Sequence, residues 1–142
     1  NDEPTLDMLN AAGVEANGGG NHEVDKGWQD LAGRIVPHIN SPYLGANVYA
    51  KGTTKVPAPL KASTIIVKDG VRIGVVGAVT HDLPSLVSPA GISNLTIGDP
   101  VKAVNAGLTS VIHGSPWIRP DGVCSKAYTA SFAYSRPSWQ WL

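Results

Sequence analysis

The feature that most limits what this chain can fold into is a pair of β-branched runs, Ser63 to Lys68 and Val71 to Val79, separated only by Asp69-Gly70. An Asp-Gly pair between two such runs predicts a tight hairpin whose turn residues take positive φ. The second run, Val71-Arg72-Ile73-Gly74-Val75-Val76-Gly77-Ala78-Val79, is almost wholly apolar, which predicts a central strand covered on both faces. The covering layers have candidates on either side. Pro4 suits the first turn of a helix, Leu6 and Leu9 share one face of it, and Gly13 ends it. Trp28, Leu31, Ala32 and Ile35 recur at i, i+3, i+4 and i+7, which predicts an amphipathic helix that Pro37 helps to terminate. Asp99-Pro100 supplies an N-cap and a first-turn proline for a helix through Val101, Val104 and Leu108. Val14 to Ala16 and Tyr43 to Tyr49 read as further short strands. Strands interleaved with helices give an α/β chain.

Composition narrows the function classes. Eleven basic and eleven acidic side chains cancel, so no global field recruits nucleic acid or an anionic membrane. Cys124 is alone, which excludes an internal disulfide and a thiolate zinc site. No apolar run approaches the roughly 18 residues that span a bilayer, and Asn1-Asp2-Glu3-Pro4 is unlike a signal peptide. From about Gly107 the composition shifts: Trp117, Tyr128, Phe132, Tyr134, Trp139 and Trp141 crowd the end of the chain among prolines. Such a tail reads as irregular structure docked by aromatic anchors, or as an exposed aromatic strip for sugars or partners.

Chemistry concentrates in Gly20-Asn21-His22-Glu23-Val24-Asp25, where an amide oxygen, an imidazole and carboxylates follow the glycine run Gly18 to Gly20. The segment falls between a strand and the Trp28 helix, in the kind of loop where α/β layers bind ligands. These groups suit metal binding and proton transfer. Plainer readings stand beside that one. Asn21 after three glycines suits a left-handed turn residue, Asp25 suits the N-cap of the Trp28 helix, and His22 suits an ordinary surface position. His38 beside Pro37 and His81 after the apolar strand read as helix-end and loop histidines.

Gly-Asn-His-Glu-x-Asp resembles the third signature block of the calcineurin-like dinuclear metallophosphatases, and its surroundings resemble their 5'-nucleotidase branch. Leu44-Gly45-Ala46-Asn47-Val48 is similar to that branch's Leu-Ser-Ala-Asn-Val. Asp69-Gly70 leading into Ile73-Gly74-Val75-Val76-Gly77 resembles its hairpin and central strand, and Asp99-Pro100-Val101-x-Ala103-Val104 resembles its next helix. The resemblance covers residues 1–106, a partial catalytic domain of layered α/β sandwich type, and leaves 107–142 as an unassigned aromatic tail.

The resemblance implies that Asn21 gives its side-chain oxygen to one of two divalent ions, Mn, Zn or similar. It implies that His22 sits beside the scissile phosphate, stabilising charge or protonating the leaving oxygen, and that Asp25 accepts the imidazole's other N–H. Glu23 receives at most a supporting role. The substrate implied is a nucleotide or other phosphate ester, and the location implied is extracellular, cell-wall or periplasmic. The family's Asp-x-His, Gly-Asp and Gly-His-x-His blocks have no counterpart here, so the remaining segments of the parent domain are expected as partners and the chain alone is expected to be a poor phosphatase. His113 follows Val104 too closely to occupy a metal-ligating strand end. Asn17-Gly18-Gly19 replaces the family's apolar strand residues and Val24 replaces its Phe, which implies looser packing below the motif. A non-catalytic α/β binding module using the aromatic tail is the alternative function.

Overall fold

The computed structural model describes residues 2–113, so the aromatic tail lies outside the described residues. Helix α1 (Glu3–Ala11) opens the described chain and buries Leu6. Strand β1 (Asn17–Gly18) leads through a 3-10 turn (His22–Val24) into α2 (Trp28–Asp30), a π-helical turn (Leu31–Ile35) and α3 (Val36–His38). Four strands follow: β2 (Tyr43–Leu44), β3 (Val48–Ala50), β4 (Ser63–Lys68) and β5 (Val71–Val76). The short α4 (Leu83–Leu86), β6 (Leu95–Ile97) and α5 (Pro100–His113) complete the described part.

The sheet elements form three pairs. β1 runs parallel to β2, β3 is antiparallel to β6, and β4 is antiparallel to β5. Short backbone links join them. Leu44 bridges Lys61 just ahead of β4, Gly77 donates to the Ala62 carbonyl, and Ala46 donates to the Gly77 carbonyl. The Asp69-Gly70 turn has positive φ at both residues, 50° and 79°, the twist a two-residue hairpin requires.

The helices close one apolar core. Leu6, Val24, Trp28, Leu31, Ile35 and Ile39 meet Tyr43, Val48, Leu60, Val79, Leu83 and Ile92 in a single buried cluster. The helical run continues through Pro37 for one residue. A proline cannot donate to the carbonyl four residues back and crowds that turn, and the run widens into its π turn immediately before it. Arg34 fastens this run to α1: its guanidinium takes both Asp30 oxygens at 2.6 Å, Glu3 at 2.9 Å and Asp2 at 2.8 Å. On α5, Asp99 caps the helix by accepting the Lys102 N–H at 3.0 Å, which holds its carboxyl below the usual carboxylate range. Gly74 and Gly107 let α5 lie against β5, since a Cβ on either would run into Val111 or Val76.

Three sequence expectations change. Val14–Ala16 is not a strand; the pairing falls on Asn17–Gly18, where Asn17 N–H meets the Pro42 carbonyl and its side chain donates to the buried Ser41 hydroxyl at 2.6 Å. A polar pair thereby replaces the apolar contact that the glycines cannot make. The Tyr43–Tyr49 strand is two strands broken at Gly45–Asn47, because Val48 N–H closes a turn on the Gly45 carbonyl. The apolar run at 71–79 is not covered on both faces within the described residues. β5 pairs with β4 alone, and Val67, Val71 and Ile73 are exposed. α5 covers only the half around Gly74 and Val76. No described helix is long and apolar enough to cross a membrane.

The break at Asn47 does the fastening. Asn47 is fully buried, donates from Nδ2 to the Val79 and Gly98 carbonyls at 3.0 Å each, and accepts the Val79 N–H on Oδ1 at 2.8 Å. Truncation to alanine orphans two buried backbone groups of Val79 and a part-buried carbonyl of Gly98, and an unsatisfied buried group costs about 1–3 kcal/mol. Asn47→Ala is therefore expected to lower the unfolding free energy by about 3 kcal/mol or more, read as a fall in the urea midpoint at unchanged slope.

Candidate active site

Beyond the end of β1 the chain has little freedom. Gly19 N–H donates to the Leu44 carbonyl at 3.1 Å, and the Gly19 backbone rests on Val79, whose Cγ1 would lie 3.4 Å from a Cβ at that position. The next residues coil into the 3-10 turn, with Val24 N–H on the Asn21 carbonyl and Asp25 N–H on the His22 carbonyl at 3.1 and 3.3 Å. Val24 points down into the core and is buried, so the smaller side chain at this position still anchors the turn. Gly27 then starts α2 at φ 86°, with the Gly91 backbone so close that a Cβ would meet it at 3.1 Å.

This geometry removes two of the plainer readings. Asn21 has φ −71° and ψ −36°, so it is no left-handed turn residue, and its side chain makes no cap hydrogen bond. No described residue engages its amide. Asp25 is not the N-cap of the Trp28 helix, a place taken by Gly27. It faces back instead, and its Oδ2 lies 3.0 Å from His22 Nδ1. The His22 and Asp25 side chains are 83% and 58% exposed, open to a ligand arriving from solvent. The loop thus brings Asn21, His22 and Asp25 onto one exposed turn. His38 is elsewhere, paired through Nε2 with Asp7 at 2.8 Å, and His81 is exposed in the loop after β5.

The Asp25 carboxylate raises the His22 pKa above its ordinary 6.5, first by the hydrogen bond and then by its charge, with Glu23 adding a smaller push in the same direction. With Nδ1 tied to Asp25, Nε2 is the ring nitrogen left for a ligand, and the carboxylate shifts the ring toward its charged form. Among the described residues no group of three His, Cys, Asp or Glu could hold a metal ion. The donor set here therefore fits one ligand of a centre, the Asn21 oxygen, and not a whole centre.

One position went unnoticed as a working part of the loop, Asn47, and Glu23, given at most a supporting role, has a defined contact. Asn47 holds Val79, which underlies Gly19, and its signal was present in Leu44-Gly45-Ala46-Asn47-Val48. Glu23 turns inward and accepts the Gly20 N–H. Only its place within the motif marked it.

No protein-family model matches the chain. It is 34% identical over 100 residues to a 5'-nucleotidase of Diplobatis ommata, covering 68% of this chain and 17% of that protein. It is 34% identical over 116 residues to endonuclease YhcR of Bacillus subtilis, covering 73% of this chain and 9% of the relative. Cell wall protein Lmo0130 of Listeria monocytogenes is 30% identical over 119 residues, with 72% and 15% covered. The calcineurin-like phosphoesterase YfkN of Bacillus subtilis superposes with a TM-score of 0.69 at 20% identity, covering 79% of this chain and 35% of that one. Over about two thirds of its length the chain is related to the 5'-nucleotidases, and its fold is that of a calcineurin-like phosphoesterase. Its α/β layers are part of that family's sandwich. The chain spans less than a fifth of the length of these curated relatives.

The pairing of His22 with Asp25 has a pH signature. A raised folded-state value stabilises the fold below pH 6.5, and that contribution is lost as pH rises through the shifted value. Asp25→Asn is expected to move the His22 titration down toward 6.5, followed by the imidazole Cε1–H resonance in NMR. An unchanged titration would mean that the pair does not form in solution.

Proposed function

We propose that the protein carrying this chain hydrolyses phosphate esters of nucleotides, and that this chain contributes the loop that meets the phosphate. The observation that carries the reading is the exposed His22, tethered at Nδ1 by Asp25, one residue from an Asn21 amide that no described residue engages. Asn21 would give its oxygen to a divalent ion. Two such ions, Mn, Zn or similar, supply a water of lowered pKa and neutralise phosphoryl oxygens when bound. The other ligands would come from the remaining segments of the parent domain.

His22 has two tasks open to it in that setting. As the imidazolium it places a positive N–H against the oxygen on which charge develops, and it can release that proton to the departing ribose oxygen. Asp25 holds the ring in one tautomer and favours its charged form. The balance of eleven basic and eleven acidic residues provides no field for a polyanion, which favours a mononucleotide over nucleic acid even though one relative bears an endonuclease name. By the same resemblance we place the protein outside the cytoplasm, at the cell wall or beyond; one relative is named a cell wall protein. Fractionation of producing cells tests this, and activity confined to the cytosol would reject it.

Hydrolysis of 5'-AMP by the intact protein is expected to require Mn2+ or Zn2+, to stop with chelator, and to fall about 100-fold or more in His22→Ala, in line with loss of a general acid. Undiminished turnover in His22→Ala would sink the assignment of that residue. Cleavage of single-stranded DNA in preference to 5'-AMP would replace the mononucleotide by a nucleic acid.

A further inference from the structure

We propose that Glu23 is a positioning residue, whose carboxylate fixes the turn so that the Asn21 amide and the His22 ring are presented together. The proposal rests on the roles given above to those two residues. Three observations lead to it. The Gly20 N–H donates to Glu23 Oε2 at 2.7 Å, and the two residues enclosed by that link are Asn21 and His22. The glutamate side chain therefore closes a ring around the backbone that carries both groups.

The second observation concerns which side chain caps the turn. A polar residue at the head of a helical turn ordinarily spends its side chain on the orphaned amides there. Asn21 stands at that head and makes no cap hydrogen bond. Glu23 instead reaches back to the Gly20 amide just ahead of the turn, with the three-residue span of a capping-box glutamate but one position earlier. One residue secures the turn, and the asparagine oxygen is released for a ligand. The side-chain directions agree with this division: His22 and Asp25 are exposed, whereas Glu23 between them is half-buried and lies close enough to buried Tyr43 for its charge to add to the burial that raises the tyrosine's pKa.

The third observation is steric. A Cβ at residue 20 would lie 2.9 Å from Glu23 Oε2, inside van der Waals contact. The last glycine of the run is thus matched to the carboxylate that binds its amide. Gly20 and Glu23 form one device, in which a Cβ at residue 20 makes the carboxylate shift from the amide it binds.

The experiment uses the intact protein in four forms: wild type, Glu23→Gln, Glu23→Ala and Gly20→Ala. Amide hydrogen exchange at residue 20 is read without metal, and Mn2+ affinity and 5'-AMP hydrolysis are read in parallel. Glu23→Gln keeps an acceptor oxygen and is expected to retain both the slow exchange and hydrolysis within about threefold. Glu23→Ala is expected to expose the amide and to lose about 10–100-fold in Mn2+ affinity or kcat, the range for a residue that orients a ligand. Gly20→Ala should behave like Glu23→Ala, and the double variant should be no worse than either single one, because both remove the same link. A protected Gly20 amide in Glu23→Ala would overturn the proposal, as would an exposed amide with unchanged affinity and turnover. Glu23→Gln as damaged as Glu23→Ala would also overturn it, pointing to a charge or a metal ligand instead of an acceptor. Failure of the underlying reading looks different. The wild type itself would then show no metal-dependent hydrolysis.

Discussion

The structure hangs on a buried amide. Asn47 holds the end of the β5 segment at Val79 and the entry to α5 at Gly98, and its own carbonyl takes the Gly98 N–H at 2.8 Å. Four hydrogen bonds converge on this residue, and those to Val79 lie in the core, where water does not compete for them. Three segments distant in sequence are held at one point. Val79 then supports Gly19, and through Gly19 the turn that carries Asn21 and His22. The candidate site is consequently placed by the core.

Above that support the loop divides its labour. Val24 anchors it downward, Glu23 seals it from within, and His22 and Asp25 are left exposed beside the half-buried Asn21. Such an arrangement matters for phosphoryl chemistry, where positioning and electrostatics do nearly all of the work. A loose turn would let the asparagine oxygen satisfy a backbone amide instead of a cation. The Arg34 cluster stabilises the same region from outside, locking α1 to the helix that follows the motif. Its bidentate grip on Asp30 depends on the planar fork of arginine, which a lysine does not reproduce.

Open surface and closed site also separate cleanly. The hairpin leaves Val67, Val71 and Ile73 exposed, while the turn carrying the motif sits over a complete apolar cluster. The relatives it matches are several times longer than the matched stretch, and its fold is shared with a calcineurin-like phosphoesterase. The Asn21 oxygen, proposed above as a metal ligand, would be one share of a composite centre.

Local chemistry was legible in the letters. The Asp69-Gly70 turn, the Asp99 cap, the Trp28 helix and the α/β class all follow from interactions among near neighbours, where spacing and φ preference decide. The motif that holds Asn21, His22 and Asp25 was legible for the same reason: the three groups lie within one turn. Pairing across the chain was not. Asn17–Gly18 became a strand because Pro42 and Leu44 offered it carbonyls, and Tyr43–Tyr49 broke because Asn47 was needed inward. An isolated asparagine in a β-like run reads as a defect, and only the tertiary structure turns it into a clamp. Whether an apolar strand is covered likewise depends on what packs against it, and among the described residues α5 meets β5 around Gly74 and Val76 while Val71 and Ile73 stay exposed. The sequence determined which groups could do chemistry here; the packing of distant segments decided which of them face solvent and which hold the others still.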